Sequence, residues 1–298
     1  MHLLYHTRIR LAGYLFILPL LVGFTIFVIL PAVFAIWVSF RNWNGFQPIF
    51  DTVFTGLKNY NKLFKSKEFL NALSNTFQYV VGMVLGQSAL GLGLALLLQN
   101  VKKGLGLLRG AFFLPSILSA VAMSLLWKSI MFAPDYGLIN MLLKALGFPR
   151  QAFLGSMSQA LTCIILMSIW KYAGHYMILF ITGLKNIPND YYDSARIDGA
   201  NNWNLFTRIT MPLLKPTILL VLVMNAIGSF QVFGPIVMMT EGGPGRATES
   251  IATLMYDTAF ANGKFSYAIS MAMVLFGIIM IVTFIQMYLM RNGGLKEY

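Results

Sequence analysis

The sequence predicts an all-α, polytopic membrane protein with six transmembrane helices, and three observations carry that expectation. Hydrophobic residues make up 57% of the 298 and charged residues 11%, with a mean hydropathy of +0.70, a balance foreign to soluble globules. Six segments reach or approach the roughly 20 apolar residues that a helix needs to cross about 30 Å of hydrocarbon with its backbone N–H and C=O groups paired. None of the six holds Asp or Glu, and Lys171 is their only Lys or Arg.

The first segment, Leu11 to Phe40, follows Arg8 and Arg10 and so invites comparison with a signal peptide, with Val33 and Ala35 as a small-residue cleavage pair. Its 30 residues exceed the roughly 7–15 of a signal core, which favours a span. Pro19 and Pro31 are expected to kink or shorten it. The other segments are Phe77 to Leu98, Gly110 to Trp127, Ala160 to Gly183, Thr217 to Met239 and Phe265 to Met290. In the second, Gly82 and Gly86 form a small-xxx-small pair that would let another helix approach closely. An even number of spans puts both termini on one side. With the termini inside, the inner segments carry 11 basic residues and the longer outer ones 10; the higher inner density and the leading Arg pair favour cytoplasmic termini.

Composition excludes much. Ten acidic residues, three His and one Cys leave too little for a disulfide framework, a Cys-rich zinc site or a crowded acid/base centre. The formal charge of +12 is spread over loops between apolar runs, which suits anionic lipid headgroups better than nucleic acid. No Pro/Ser linker or repeat divides the chain, so residues 1–298 read as a single transmembrane domain.

Between the fourth and fifth spans, Leu184 to Pro216 has the pattern of two short helices. Pro188 favours a start, Asn189 to Ile197 form about two turns, and Gly199 ends them. Asn201 or Asn202 then caps a second helix running to Thr210, with Pro212 expected to stop it. Tyr192, Ala195 and Ile197 offer a small apolar surface among Asp190, Asp193, Arg196 and Asp198, which reads as a docking element.

The string itself adds to this. Asp193-Ser194-Ala195, then Gly199, Ile209 and Met211-Pro212 resemble the EAA motif of binding-protein-dependent ABC importer permeases, whose coupling helix sits in a cleft of a cytoplasmic ATPase. Asp193 stands for the Glu of that motif, Ser194 for the first Ala and Met211 for Leu. The run Gly13 to Pro19, Ser39-Phe40, Trp43-Asn44, Phe113-Leu114-Pro115, Trp127, Gly137 to Asn140 and Thr240 to Gly245 with Thr248 look like the carbohydrate-uptake, maltose and glycerol-phosphate type of that family. The resemblance implies a multi-pass component of a bacterial or archaeal cell (inner) membrane, termini cytoplasmic, with residues 184–216 as the cytoplasmic coupling loop. It also implies a related second permease subunit, two ABC ATPase subunits that hold ATP and Mg, an extracytoplasmic solute-binding protein and a carbohydrate substrate. ATPase coupling would then fall to Asp193, Ser194, Ala195, Asp198, Gly199, Ile209 and Pro212.

No GxxxxGK[ST] string occurs, and Gly243 to Arg246 lacks the Lys of such a cradle; no cofactor is expected in this chain and no enzymatic activity of its own. The outer loops Arg41 to Asn71 and Lys128 to Gln159 are where a delivery protein could rest. For the substrate path, polar residues inside spans are informative because lipid penalises them. Lys171 needs cavity water, a backbone carbonyl, the second subunit or an anionic ligand. Tyr172 and His175 share one helical face, and Asn225, Gly228, Ser229 and Val232 share another at 3-4-3 spacing. Interhelical hydrogen bonding would explain each face; the resemblance adds that matching positions line the sugar site. Gln231, Gln87 and Gln286 are expected to serve packing or the partner, and His2 and His6 have no assigned role. The rival class, an ion-coupled secondary carrier, should show intramembrane acids and inverted repeats, and the sequence has neither.

Overall fold

The computed structural model describes residues 14–99, 101 and 103–292. The expectations placed on His2, His6, Arg8, Arg10, Gly13 and the start of the first segment at Leu11 lie outside them. Among the described residues, four helices are long and apolar enough to cross a membrane: α1 (Tyr14–Ser39), α3 (Lys67–Gln99), α7 (Ala160–Lys185) and α13 (Phe265–Asn292). Two bent pairs, each counted as one span, raise the total to six. Those pairs are α4 (Leu105–Ile117) with α5 (Ala120–Met131), bent by 94°, and α9 (Asn202–Leu213) with α10 (Lys215–Phe230), bent by 63°. The remaining helices are α2 (Lys58–Lys65), α6 (Leu138–Ala145), α8 (Asn189–Ile197), α11 (Gly234–Thr240) and α12 (Ile251–Tyr256).

Two expected spans are thus corrected. The segment Gly110 to Trp127 is broken at Leu118 and Ser119, whose backbones are extended, just after Pro115, which lacks an N–H and cannot sustain the ladder. The segment Thr217 to Met239 is interrupted from Gln231 to Phe233, between α10 and α11. Backbone without helical pairing is tolerated at membrane depth where protein buries it or where it lines a cavity.

The chain clusters into two compact units. In the first, residues 14–65 with 255–274, α1 has a mean hydropathy of 2.6 over its most apolar window, none of which is buried. It runs into a two-stranded antiparallel ribbon, β1 (Arg41–Asn42) against β2 (Val53–Phe54). The Arg41 guanidinium lies 4.1 Å from the Trp37 ring centroid and donates to the Thr52 carbonyl at 2.8 Å. Buried Ser39 receives the Tyr60 hydroxyl at 2.7 Å, and Trp43 exchanges two hydrogen bonds with Ser266.

In the second unit, residues 66–254 with 275–298, α3 packs most extensively on α7, and α7 in turn on α4. Lipid is as apolar as Leu, so helices in it associate through close packing rather than through the hydrophobic effect. The glycines supply that closeness. A Cβ on Gly82 would stand 2.9 Å from Ile165, and one on Gly86 would overlap Ile169; Gly93 meets nothing. A Cβ on Gly174 would overlap the Phe112 carbonyl, which places α7 directly against the α4 backbone. The Gly137 to Asn140 string anchors the loop before α7: buried Asn140 donates to the Pro134 and Gln151 carbonyls at 3.0 and 2.9 Å and accepts from Gln151 N–H.

Candidate functional site

The break in α4/α5 explains Lys171. A helix that stops inside lipid leaves its last carbonyls without partners, and a cation at that C-terminal end satisfies them and complements the helix dipole. The Lys171 ammonium, on a residue 1% exposed, donates to the carbonyls of Leu118 at 2.7 Å, Pro115 at 3.1 Å and Ser116 at 3.3 Å. It also sits 4.4 Å from the centre of the Tyr172 ring. Among the alternatives left open for this side chain, backbone carbonyls are the observed ones. Lys171 does not line the neighbouring cavity.

That cavity, about 430 Å³, opens where α10 is interrupted. From α3 come Tyr79, Met83 and Gln87; from α7, Tyr172 and Tyr176; from α10, Asn225, Gly228 and Ser229; and the interruption adds Gln231, Val232 and Phe233. Its lining holds three phenols, three side-chain amides and a hydroxyl, and no charged side chain. Asn225, 1% exposed, donates to the Met83 carbonyl at 3.2 Å, and Ser229 donates to Asn225 Oδ1 at 3.0 Å. Gln87 donates to the Ser168 carbonyl at 3.1 Å. These bonds tie α3 to α10 and to α7, and they hold the polar rim of the cavity in one orientation.

Of the residues expected on the substrate path, Tyr172, Asn225, Gly228, Ser229 and Val232 meet at this cavity. His175 does not line it; its ring packs edge-on against Tyr176, centroids 5.2 Å apart, and Tyr176 takes the cavity position instead. Val232 reaches the cavity although α10 ends at Phe230, so the helical face drawn from Asn225 to Val232 is in fact a helix joined to an unwound segment. The same unwinding turns Gln231 inward, against the expectation that it serves packing or the partner, and Gln87 also lines the cavity. Sequence reasoning missed Tyr79, Met83 and Tyr176. A signal existed: Tyr79, Met83 and Gln87 follow one another at i, i+4, i+8, and Tyr172 and Tyr176 at i, i+4.

The second site is the hairpin of α8 and α9. Gly199 has φ +82°, and the Gly199 and Ala200 N–H groups donate back to the Arg196 and Ala195 carbonyls at 3.0 and 2.9 Å. This double closure ends α8 and needs a left-handed residue, for which glycine carries no Cβ penalty. Asn201 then caps α9, its Oδ1 accepting from Asn204 N–H at 2.9 Å. Tyr192 turns inward, bonding Thr210 at 3.0 Å and packing against the Leu184 and Leu214 cluster. The exposed apolar surface is therefore Tyr191, Ile197 and Trp203, the last two 86% and 70% exposed, rather than Tyr192, Ala195 and Ile197. Asp193 and Arg196 form an exposed ion pair at 3.2 Å; Ser194 and Asp198 are exposed and Ile209 half-buried. Pro212 does not stop the second helix. It occupies the first turn of the short helix Met211–Leu213, after a π-helical stretch from Phe206 to Thr210, a position where a missing N–H costs nothing.

On the far side of α11, the Gly-Gly-Pro loop is stitched to the start of α3. Asn71 and Asn75 donate to the Arg246 carbonyl at 2.8 and 3.0 Å, and the Arg246 guanidinium bridges Glu68 at 3.0 Å and Glu249 at 3.6 Å.

Known proteins share both sequence and fold with this chain. It is 35% identical over 288 residues to the "Probable ABC transporter permease protein YurN" of Bacillus subtilis, covering 95% of this chain and 97% of that one. It is 34% identical over 277 residues to the trehalose/maltose transport system permease protein MalF of Thermococcus litoralis, covering 93% and 92%. A bacterial ABC transporter involved in the import of the acidic polysaccharide alginate shares the fold, with a TM-score of 0.83 over 100% of both chains at 24% identity. With its residues 14–292 matching as well, the chain belongs to the family of binding-protein-dependent transport system inner membrane components.

Proposed function

We propose that this chain forms one half of the translocation path of an ATP-driven importer for a neutral mono- or oligosaccharide delivered by an extracytoplasmic solute-binding protein. The observation that carries this reading is the chemistry of the cavity between α3, α7 and α10. Its volume falls within the roughly 300–1,000 Å³ of small-ligand sites, and its lining offers phenol rings for stacking and amides and hydroxyls for hydrogen bonding, without a charged group. A sugar ring presents complementary faces and hydroxyls. Lys171, buried beside the cavity, is committed to the carbonyls of the broken helix, so an acidic glycan would find no free counter-charge in the lining.

In this reading α8 and α9 form the cytoplasmic coupling element, with Asp193, Gly199 and the exposed Ile197 and Trp203 facing an ATPase. A related permease supplies the other half of the path and two ATPase subunits hold ATP and Mg. ATP binding draws the ATPases together, the knuckle carries that motion into α7 and α10, and the populations of outward- and inward-open cavities shift because ATP binds one of them better. The chain itself contributes binding, orientation and movement, with no covalent step. Similarity to permeases named for trehalose and maltose supports a carbohydrate cargo.

The test is uptake by proteoliposomes holding the purified assembly and its binding protein. Neutral oligosaccharides should enter in an ATP-dependent manner and uronate oligomers should not. Uptake driven by a proton gradient without ATP, or equal uptake of both glycan classes, would refute the reading.

A further inference from the structure

At the end of the bundle nearest the knuckle lies a second cavity of about 470 Å³, separate from the first. Its wall combines aliphatic residues, including Leu105 and Ile181, with Gln99, Arg109, Lys185 and Asn189, and the lining holds no Asp or Glu. Arg109 Nε is shielded from solvent and has no hydrogen-bond partner among the described residues. A buried guanidinium nitrogen without an acceptor is costly, and Arg answers that cost best with a planar or tetrahedral oxyanion. Two cations on different helices, Arg109 on α4 and Lys185 at the end of α7, border the same space, so their mutual repulsion also favours an anion between them.

We infer that this cavity holds a phosphate group, and that its source is the headgroup of an anionic phospholipid. The lining has the composition such a molecule needs, cationic and amide groups for the phosphate and aliphatic residues for the first acyl carbons, and basic pockets between helices are a recurrent form of headgroup site. The position gives the binding a consequence. Lys185 ends α7, Asn189 begins α8, and Ile187 and Pro188 between them also line the cavity. A headgroup held there would stiffen the joint through which the knuckle moves the spans.

The experiment uses the full purified assembly, delipidated and placed in phosphatidylcholine nanodiscs with or without phosphatidylglycerol. Native mass spectrometry counts retained lipid, and hydrogen exchange reads residues 185–190. The wild type should retain phosphatidylglycerol over phosphatidylcholine and gain protection at the joint. Arg109→Gln with Lys185→Gln should lower retention roughly tenfold or more, as loss of charged hydrogen bonds implies, with Arg109→Lys intermediate and Lys144→Gln, on α6, unchanged. Inorganic phosphate is the second arm. If it alone protects the joint in the wild type but not in the double variant, and lipid does not, the site is an anion site for a soluble phosphate. Unchanged labelling of buried Cys163 in the double variant shows that it is folded. Equal retention of both lipids with no protection by phosphate, or retention indifferent to both cations in folded protein, would overturn the inference.

Discussion

Replacing Lys171 with Met tests whether the cation serves the helix break or the cargo. Met matches the stem in length and removes the ammonium. Three carbonyls then lose their donor, the nearest at 2.7 Å and the others at 3.1 and 3.3 Å. A charged hydrogen bond contributes about 1.5–3 kcal/mol and an orphaned buried acceptor costs about 1–3 kcal/mol. Against that, burying the cation itself costs about 2.5–3.5 kcal/mol on insertion scales. Taking the short bond near the top of its range and the two longer ones near the bottom, the net destabilisation is about 3 kcal/mol. Every 1.4 kcal/mol is tenfold in an equilibrium constant, so local opening should rise on the order of 100-fold. Cys163, the single cysteine of the chain, reads that opening: it lies on α7, the helix that also carries Lys171, and is 4% exposed. Its labelling by a thiol-reactive dye should accelerate by that factor in Lys171→Met and by less in Lys171→Gln, which keeps a neutral donor. Unchanged labelling, accompanied by a switch in preference between neutral and acidic glycans, would refute the assignment of Lys171 to the helix end.

Three further outcomes follow from named contacts. Gly199→Ala places a Cβ at φ +82°, costing about 1–2 kcal/mol locally, and should weaken co-purification or stimulation of the ATPase subunits while Cys163 labelling stays constant. Gly174→Val drives side-chain atoms into the Phe112 carbonyl; backbone cannot give way cheaply, so α4 should separate from α7 and the assembled yield fall sharply on size exclusion. Tyr172→Ala should raise the KM of sugar uptake about tenfold, on the order of one lost stacking and packing contact of about 1–1.5 kcal/mol, with Tyr172→Phe close to wild type if the ring face rather than the hydroxyl meets the sugar.

Helix type and the hairpin before α10 were legible because each is a local property. Apolar length, a capping Asn201 and a C-terminal Gly199 act within a few residues, and the structure places them as the sequence predicts. Side-chain direction in the hairpin was not legible. Tyr191 and Tyr192 are chemically alike and adjacent, and only the presence of Thr210 and the Leu184 and Leu214 cluster decides which of them turns inward. The cavity was partly legible, since α7 and α10 are regular as far as Phe230, and it failed from Gln231 on, where an assumed helix is unwound.

The amino-acid order alone determined that this chain lives in lipid, because every apolar run long enough to cross hydrocarbon must become a helix there. It determined equally that one basic group would need a buried partner. Which partner was decided by tertiary structure: Pro115 and the extended Leu118 and Ser119 open a helix end, and Gly174 lets α7 come close enough for Lys171 to reach it. The reason is physical. Orphaned carbonyls and a buried ammonium are each costly alone, and only a close approach between segments far apart in the chain lets the two deficits cancel.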